Sequence, residues 1–183
     1  MRPGSKMKWT YTQYFIPEGK LDKIPKSEAD KYLEWIKAGH LHLCEGDEVD
    51  YTDVVDWLEK KKKKHKIRSF KVGYDRWGSK AFVEAMEEYG FEMIRVNQDY
   101  FTMSHPMKML ESDLKNKLVN FNQHPIDIFC LKNTAIIFDK TGTKIMQAKV
   151  QGVKLNHIDG AVTMIICYVV FNENRREYLN MVR

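Results

Sequence analysis

Aromatic and β-branched residues alternate with polar ones across WTYTQYFI, residues 9–16, and that short period predicts a strand. A polar connector, PEGKLDKIPK, follows. Ser27 is then placed to cap a helix that runs to about Ala38, with Gly39 as its stop. Tyr32, Leu33, Trp35 and Ile36 give this helix an apolar side. LHLC, residues 41–44, is a short strand and EGDEVD a turn. A second helix starts at Tyr51 or Thr52, turns Val54, Val55, Trp57 and Leu58 inward, and ends in a run of lysines. IRSFKVGYD is a strand with Ile67, Phe70 and Val72 as its buried members. Ser79 to Tyr89 is a helix with Phe82, Val83 and Met86 inward, Gly90 closes it, and FEMIRV returns as a strand. Helix, strand, helix, strand is the order of parallel βαβ construction.

The pattern changes beyond Asn97. NQDYFTMSHP reads as a loop, and Pro106 stands where first-turn prolines do, ahead of a helix from Met107 to Lys117. Pro125 opens another short helix. NTAIIFD and KIMQAKV flank the turn KTGT as a β-hairpin. Asn156 or His157 then leads into IDGAVTMIICYVVF, a helix apolar on nearly every side, which predicts burial against a sheet. The fold class is therefore α/β. Residues 1–8, including MRPGSKMK, look like a tag or linker remnant, residues 9–171 form one domain, and 172–183 are a polar tail.

Composition narrows the classes further. The chain has 183 residues, 43% hydrophobic and 30% charged, enough for a real core. No apolar run approaches the length that crosses a bilayer. Cys44, Cys130 and Cys167 show no CxxC spacing, which fits a reducing compartment and argues against structural zinc. The net charge of +5 is mild, but Lys60 to Lys64, His65, Lys66 and Arg68 concentrate it. Such a run serves either as the solvated end of a helix, complementing its dipole, or as a contact for phosphates. No GxxxxGK[ST] sequence is present, so the P-loop route to ATP hydrolysis is not available to these residues.

Two acids stand out against the apolar pattern. Asp75 ends a strand just where a helix takes over, and the carboxyl ends of strands in α/β sheets are where ligands bind. Asp159 lies in the first turn of the otherwise apolar last helix. Either can be a cap or a dipole partner. If the two converge above one sheet edge, they supply hard oxygen ligands for Mg²⁺ or Mn²⁺.

The ordered set YDRWGS, the glutamine of VNQ, the hairpin LKNTAIIFDKTGTKIMQAKV and HIDGAVTM, preceded by YFIPEG and YLEWIKAGHLHLCEGDEVDY, resembles the nuclease domain of tailed-phage terminase large subunits. The likeness covers almost the whole chain. It implies a ribonuclease-H-like mixed sheet flanked by helices, with a C-terminal β-hairpin. It also implies a metal-dependent endonuclease that hydrolyses DNA phosphodiesters with two Mg²⁺ or Mn²⁺ ions. Asp75 and Asp159 match catalytic, metal-binding acids, and His157 matches a position near the metal. Lys154 matches a frequent basic position, Gln98 a recurrent glutamine, and Lys149, Lys62, Lys63 and Lys64 are candidate contacts to the DNA backbone. In such proteins the resemblance implies an ATPase domain, a small terminase subunit and a portal as partners, in the cytoplasm of a phage or prophage host. It also implies an earlier strand with another aspartate, for which MRPGSKMK offers no acid. The chain is therefore expected to be a fragment without that first strand, weak or inactive alone. Two rivals are a ribonuclease-H-like resolvase, integrase or transposase, which lack the WIKAGH insertion, and a non-catalytic module binding DNA or a portal.

Overall fold

The computed structural model describes residues 5–67, 69–76, 80–152 and 156–181, without the Ser27 side chain. In chain order the elements are β1 (Lys8–Trp9), β2 (Tyr14–Pro17), α1 (Glu18–Leu21), α2 (Lys26–Lys37), β3 (Leu41–Cys44), α3 (Tyr51–His65), β4 (Val72–Asp75), α4 (Lys80–Glu88) and β5 (Met93–Val96). They continue as α5 (Tyr100–Lys115), β6 (Val119–Asn120), α6 (Pro125–Lys132), β7 (Thr134–Phe138), β8 (Ile145–Lys149), α7 (Asp159–Glu173) and α8 (Arg175–Met181).

Strands pair as β1 with β6, β2 with β3 and β4 with β5, each parallel, while β7 and β8 form the antiparallel hairpin. The β2–β3 and β4–β5 pairs are parallel because helices separate each strand from its partner, since a parallel return needs a crossover, and β1 and β6 are joined by a longer stretch of chain. Helix α7 organises the packing. Ala161, Met164, Ile165, Ile166, Tyr168, Val169 and Val170 are all buried, and it packs against α5, α6, β4 and β5. Its contact with β4 is close because residue 73 is glycine, where a Cβ would overlap the side chains of Ile166 and Val170. The other face of β4–β5 meets α3 and α4 through Val55, Met86, Phe91, Val72 and Met93. A strand pair with helices on both faces results, the arrangement of a sheet flanked by helices that the resemblance implied.

Several elements differ from the sequence reading. WTYTQYFI divides between β1 and β2 instead of forming one strand, and Lys8 is part of the fold. Its ammonium lies 2.6 Å from Asp113 Oδ2, which also accepts from the Tyr168 hydroxyl at 2.7 Å. Helix α2 starts at Lys26, one residue before the predicted Ser27 cap, and Leu33 is 50% exposed while Tyr32 and Trp35 are buried. Ile67 is exposed, because the pairing of β4 begins only at Val72. The largest departure is α5. Asp99 accepts from the backbone N–H groups of Phe101 and Thr102, so the helix begins two turns before Pro106 and carries that proline inside it. Burial of Met103, Ser104, Pro106 and Met107 outweighs the one backbone hydrogen bond that proline cannot make. The predicted tail continues α7 to Glu173 and then forms α8. The predicted start of the fourth helix at Ser79 lies outside the described residues.

Candidate active site

Strand β4 and helix α7 run in opposite directions. At the start of β4, Lys71 Nζ donates to Asn174 Oδ1 at the far end of α7, and Gly73 packs on Ile166 and Val170. Two residues on, ~7 Å further along the strand, Asp75 has advanced toward the N-terminus of α7, where Asp159 stands. Alternation puts Asp75 on the same face as Gly73, the face toward α7. Both acids therefore occupy one end of the β4–α7 layer.

Each carboxylate has defined neighbours. Asp75 Oδ1 accepts from the Arg76 backbone N–H at 2.6 Å, and Asp75 Oδ2 accepts from Gln98 Nε2 at 2.6 Å. Gln98 Oε1 in turn accepts from Gln147 Nε2 at 2.9 Å. Gln147 is buried on β8, and its Oε1 is buried without a hydrogen bond among the described residues. Two residues later on the same face of β8 stands Lys149, whose charge acts on Asp159. Strand β8 thus connects the surroundings of both acids, through Gln147 and Gln98 to Asp75 and through Lys149 to Asp159.

Asp159 is 79% exposed, and His157 Nδ1 lies 3.5 Å from its Oδ2. The His157 hydrogen bond, the N–H at the helix start and the charges of His157 and Lys149 hold the carboxyl below the usual range against a smaller opposing effect of burial. The loop before it is tied down: Asn133 Nδ2 donates to the His157 carbonyl, Asn156 Nδ2 donates to the Val150 carbonyl, and Val150 N–H donates to the Asn133 carbonyl. Gly160 leaves room here for Tyr14, whose hydroxyl a Cβ would overlap.

The structure pairs His157 with Asp159, but Asp75 does not close with them into three donors within 4.8 Å of one another. Lys154 lies outside the described residues. Lys62, Lys63 and Lys64 form the last turn of α3, where Lys62 also pairs with Glu59 at 3.0 Å. That end of α3 lines a shallow pocket together with Tyr11, which precedes β2, and with Ile67, Ser69 and Phe91, which lead into β4 and β5. The lysine run is therefore at the opposite end of these strands from Asp75. Sequence reasoning missed Gln147, although a polar residue in the inward register of KIMQAKV, two after buried Ile145, was its signal.

The family described as Terminase large subunit, endonuclease domain, matches residues 6–175. The chain belongs to this family. It is similar to Protein YmfN of Escherichia coli (strain K12), 27% identical over 161 residues, covering 84% of this chain and 34% of that protein. It is also similar to the terminase large subunit of Lactococcus phage p2, 24% identical over 170 residues, covering 90% of this chain and 31% of that protein. The chain spans about a third of the length of these curated relatives. Among solved structures, the HK97 bacteriophage large terminase superposes with a TM-score of 0.69 at 23% identity, over 85% of this chain and 32% of that one. The large terminase nuclease of thermophilic phage G20c gives 0.50 at 16% identity, over 67% and 63%. The fold of this terminase endonuclease domain is the ribonuclease-H-like mixed α/β arrangement that the resemblance implied.

Proposed function

We propose that this terminase endonuclease domain cuts double-stranded DNA with Mg²⁺ or Mn²⁺ held by Asp75 and Asp159. The observation that carries this reading is the placement of both carboxylates at one end of the β4–α7 layer, linked along β8. The donor chemistry fits a hard divalent cation, because two carboxylates supply only oxygen and Asp159 is exposed and held ionised. When bound, such ions polarise phosphodiester oxygens and lower the pKa of a bound water, the paired-ion chemistry proposed for this site. Gln98 holds the Asp75 carboxylate in one orientation, and His157 and Lys149 keep Asp159 ionised. Lys149 and Lys154 would meet the DNA backbone beside the site, and Lys62, Lys63 and Lys64 would meet it farther away. In a longer protein of the relatives' size, an ATPase domain, a small terminase subunit and a portal are the proposed partners, at work in the cytoplasm of a phage or prophage host.

A second reading is a non-catalytic module that binds DNA or a portal. It draws on one observation: both Asp75 oxygens already accept hydrogen bonds, and no third carboxylate joins them among the described residues. Titration calorimetry with Mn²⁺ separates the two. The nuclease reading expects heat that Asp159→Ala abolishes, together with Mn²⁺-dependent nicking of plasmid DNA, by a chain extended upstream, that Asp75→Ala removes. Binding heat insensitive to Asp159→Ala, or a cutting rate untouched by Asp75→Ala, ends that reading.

A further inference from the structure

Away from the acid pair, strand β3 and the first turn of α3 bring together three donors of a different kind. His42 and Cys44 are two residues apart on β3 and so share a face. Asp53 follows the Asp50 cap of α3, where Asp50 Oδ1 accepts from the Thr52 backbone N–H and hydroxyl. One ligand atom each from His42, Cys44 and Asp53 lie within 4.8 Å of one another, and neither Asp75 nor Asp159 belongs to this set.

We propose that His42, Cys44 and Asp53 form a binding site for a zinc-class divalent cation, with a fourth position open to water. Nitrogen, sulfur and carboxylate oxygen are the three ligand types that zinc takes, whereas Mg²⁺ and Mn²⁺ prefer oxygen alone. Tetrahedral zinc with bonds of about 2.0–2.3 Å places its ligand atoms about 3.3–3.8 Å apart, so the present spacing needs only side-chain adjustment. The parts are already held. His42 Nε2 lies 3.1 Å from Asp53 Oδ2, and the Phe15 ring meets the imidazole edge-on at 5.5 Å. Cys44 is buried on the protein side while His42 is 46% and Asp53 34% exposed, so an ion can enter from solvent and reach the sulfur. Burial pushes the Cys44 thiol up, as do the nearby Asp53 and Asp50 carboxylates, against the opposing effect of the Asp50 backbone N–H. A bound ion would staple the 45–50 turn by joining the end of β3 to the start of α3.

Cobalt(II) is the probe, added to the metal-stripped chain in a Cys167→Ser background with excess Mg²⁺ present. The expected result is one equivalent bound with tetrahedral visible bands and a thiolate-to-cobalt charge-transfer band, displaced by Zn²⁺. Cys44→Ser should abolish the charge-transfer band, and His42→Ala or Asp53→Asn should weaken binding by at least on the order of tenfold, the lower end of the loss typical of an outer-shell partner of a metal. Asp75→Asn should leave the spectrum unchanged, which keeps this site independent of the nuclease reading. The proposal is overturned if the folded chain shows no charge-transfer band, the outcome expected of a plain His42–Asp53 ion pair. It is also overturned if the band survives Cys44→Ser. Should Cys44→Ser fail to fold by circular dichroism, unchanged cobalt affinity in both exposed variants overturns it equally.

Discussion

Asp113 shows how one carboxylate ties distant segments together. Its Oδ2 meets the Lys8 ammonium from β1 and the Tyr168 hydroxyl from α7. Burial pushes this carboxyl up, but Lys8 and Tyr168 outweigh it and leave the carboxyl below its ordinary value. The folded state thus binds this proton less readily than the unfolded chain does. Stability from the group is present above the ordinary carboxylate range and is lost as pH falls through the depressed folded value. Tyr168→Phe is expected to cost about 1.5–3 kcal/mol in urea unfolding at neutral pH, the usual worth of a hydrogen bond to a charged group, and less in acid. An equal cost at both pH values would mean that the hydroxyl does not sense the Asp113 charge. Asp75 and Asp159 were legible in the sequence because each interrupts an apolar pattern at an element boundary. Lys8 and Gln147 were not read as structural, since their partners are 105 and 49 residues away.

Single glycines decide how closely elements approach. Gly73 lets β4 lie directly on α7, and Gly73→Ala should drive a methyl group into Ile166 and Val170. Overpacking of that kind costs about 1–3 kcal/mol, so thermal unfolding should shift down by several degrees. A mutant as stable as the parent would mean that the strand and helix separate freely. Most elements were legible at this scale: α3, β3, α6 and the β7–β8 hairpin follow from period, caps and turn residues. Helix α5 was not. A proline ahead of an apolar run reads as a helix start, and only burial against β8 and α7 explains why Pro106 is tolerated inside it. Ser104, inside that helix, accepts from the Ile145 backbone N–H, a bond with no local signature.

Across the whole molecule, the lysine run of α3 and the candidate chemistry are separated. Asp75 and Asp159 lie at one end of the β4–α7 layer, and Lys62, Lys63 and Lys64 lie where β4 and β5 begin. If the lysine run contacts DNA backbone, replacing Lys63 and Lys64 by glutamine should weaken affinity for any sequence. The slope of log affinity against log salt should fall by about 1–2, as expected for two lost phosphate contacts. Mn²⁺ binding should be unchanged. Fluorescence anisotropy across a salt series reads this directly, and an unaltered slope would leave the run as the positively charged end of α3 alone.

The sequence by itself determined the α/β class, the parallel return of β5 beside β4, the buried character of α7 and the two acids at element ends. Period, capping and composition act within a few residues and are written locally. Only the tertiary structure decided that β8 carries Gln147 and Lys149 between those acids, that Lys8 anchors to α5 and α7, and that His42, Cys44 and Asp53 meet. Those outcomes depend on which faces pack together, a choice settled by long-range burial that no local pattern encodes.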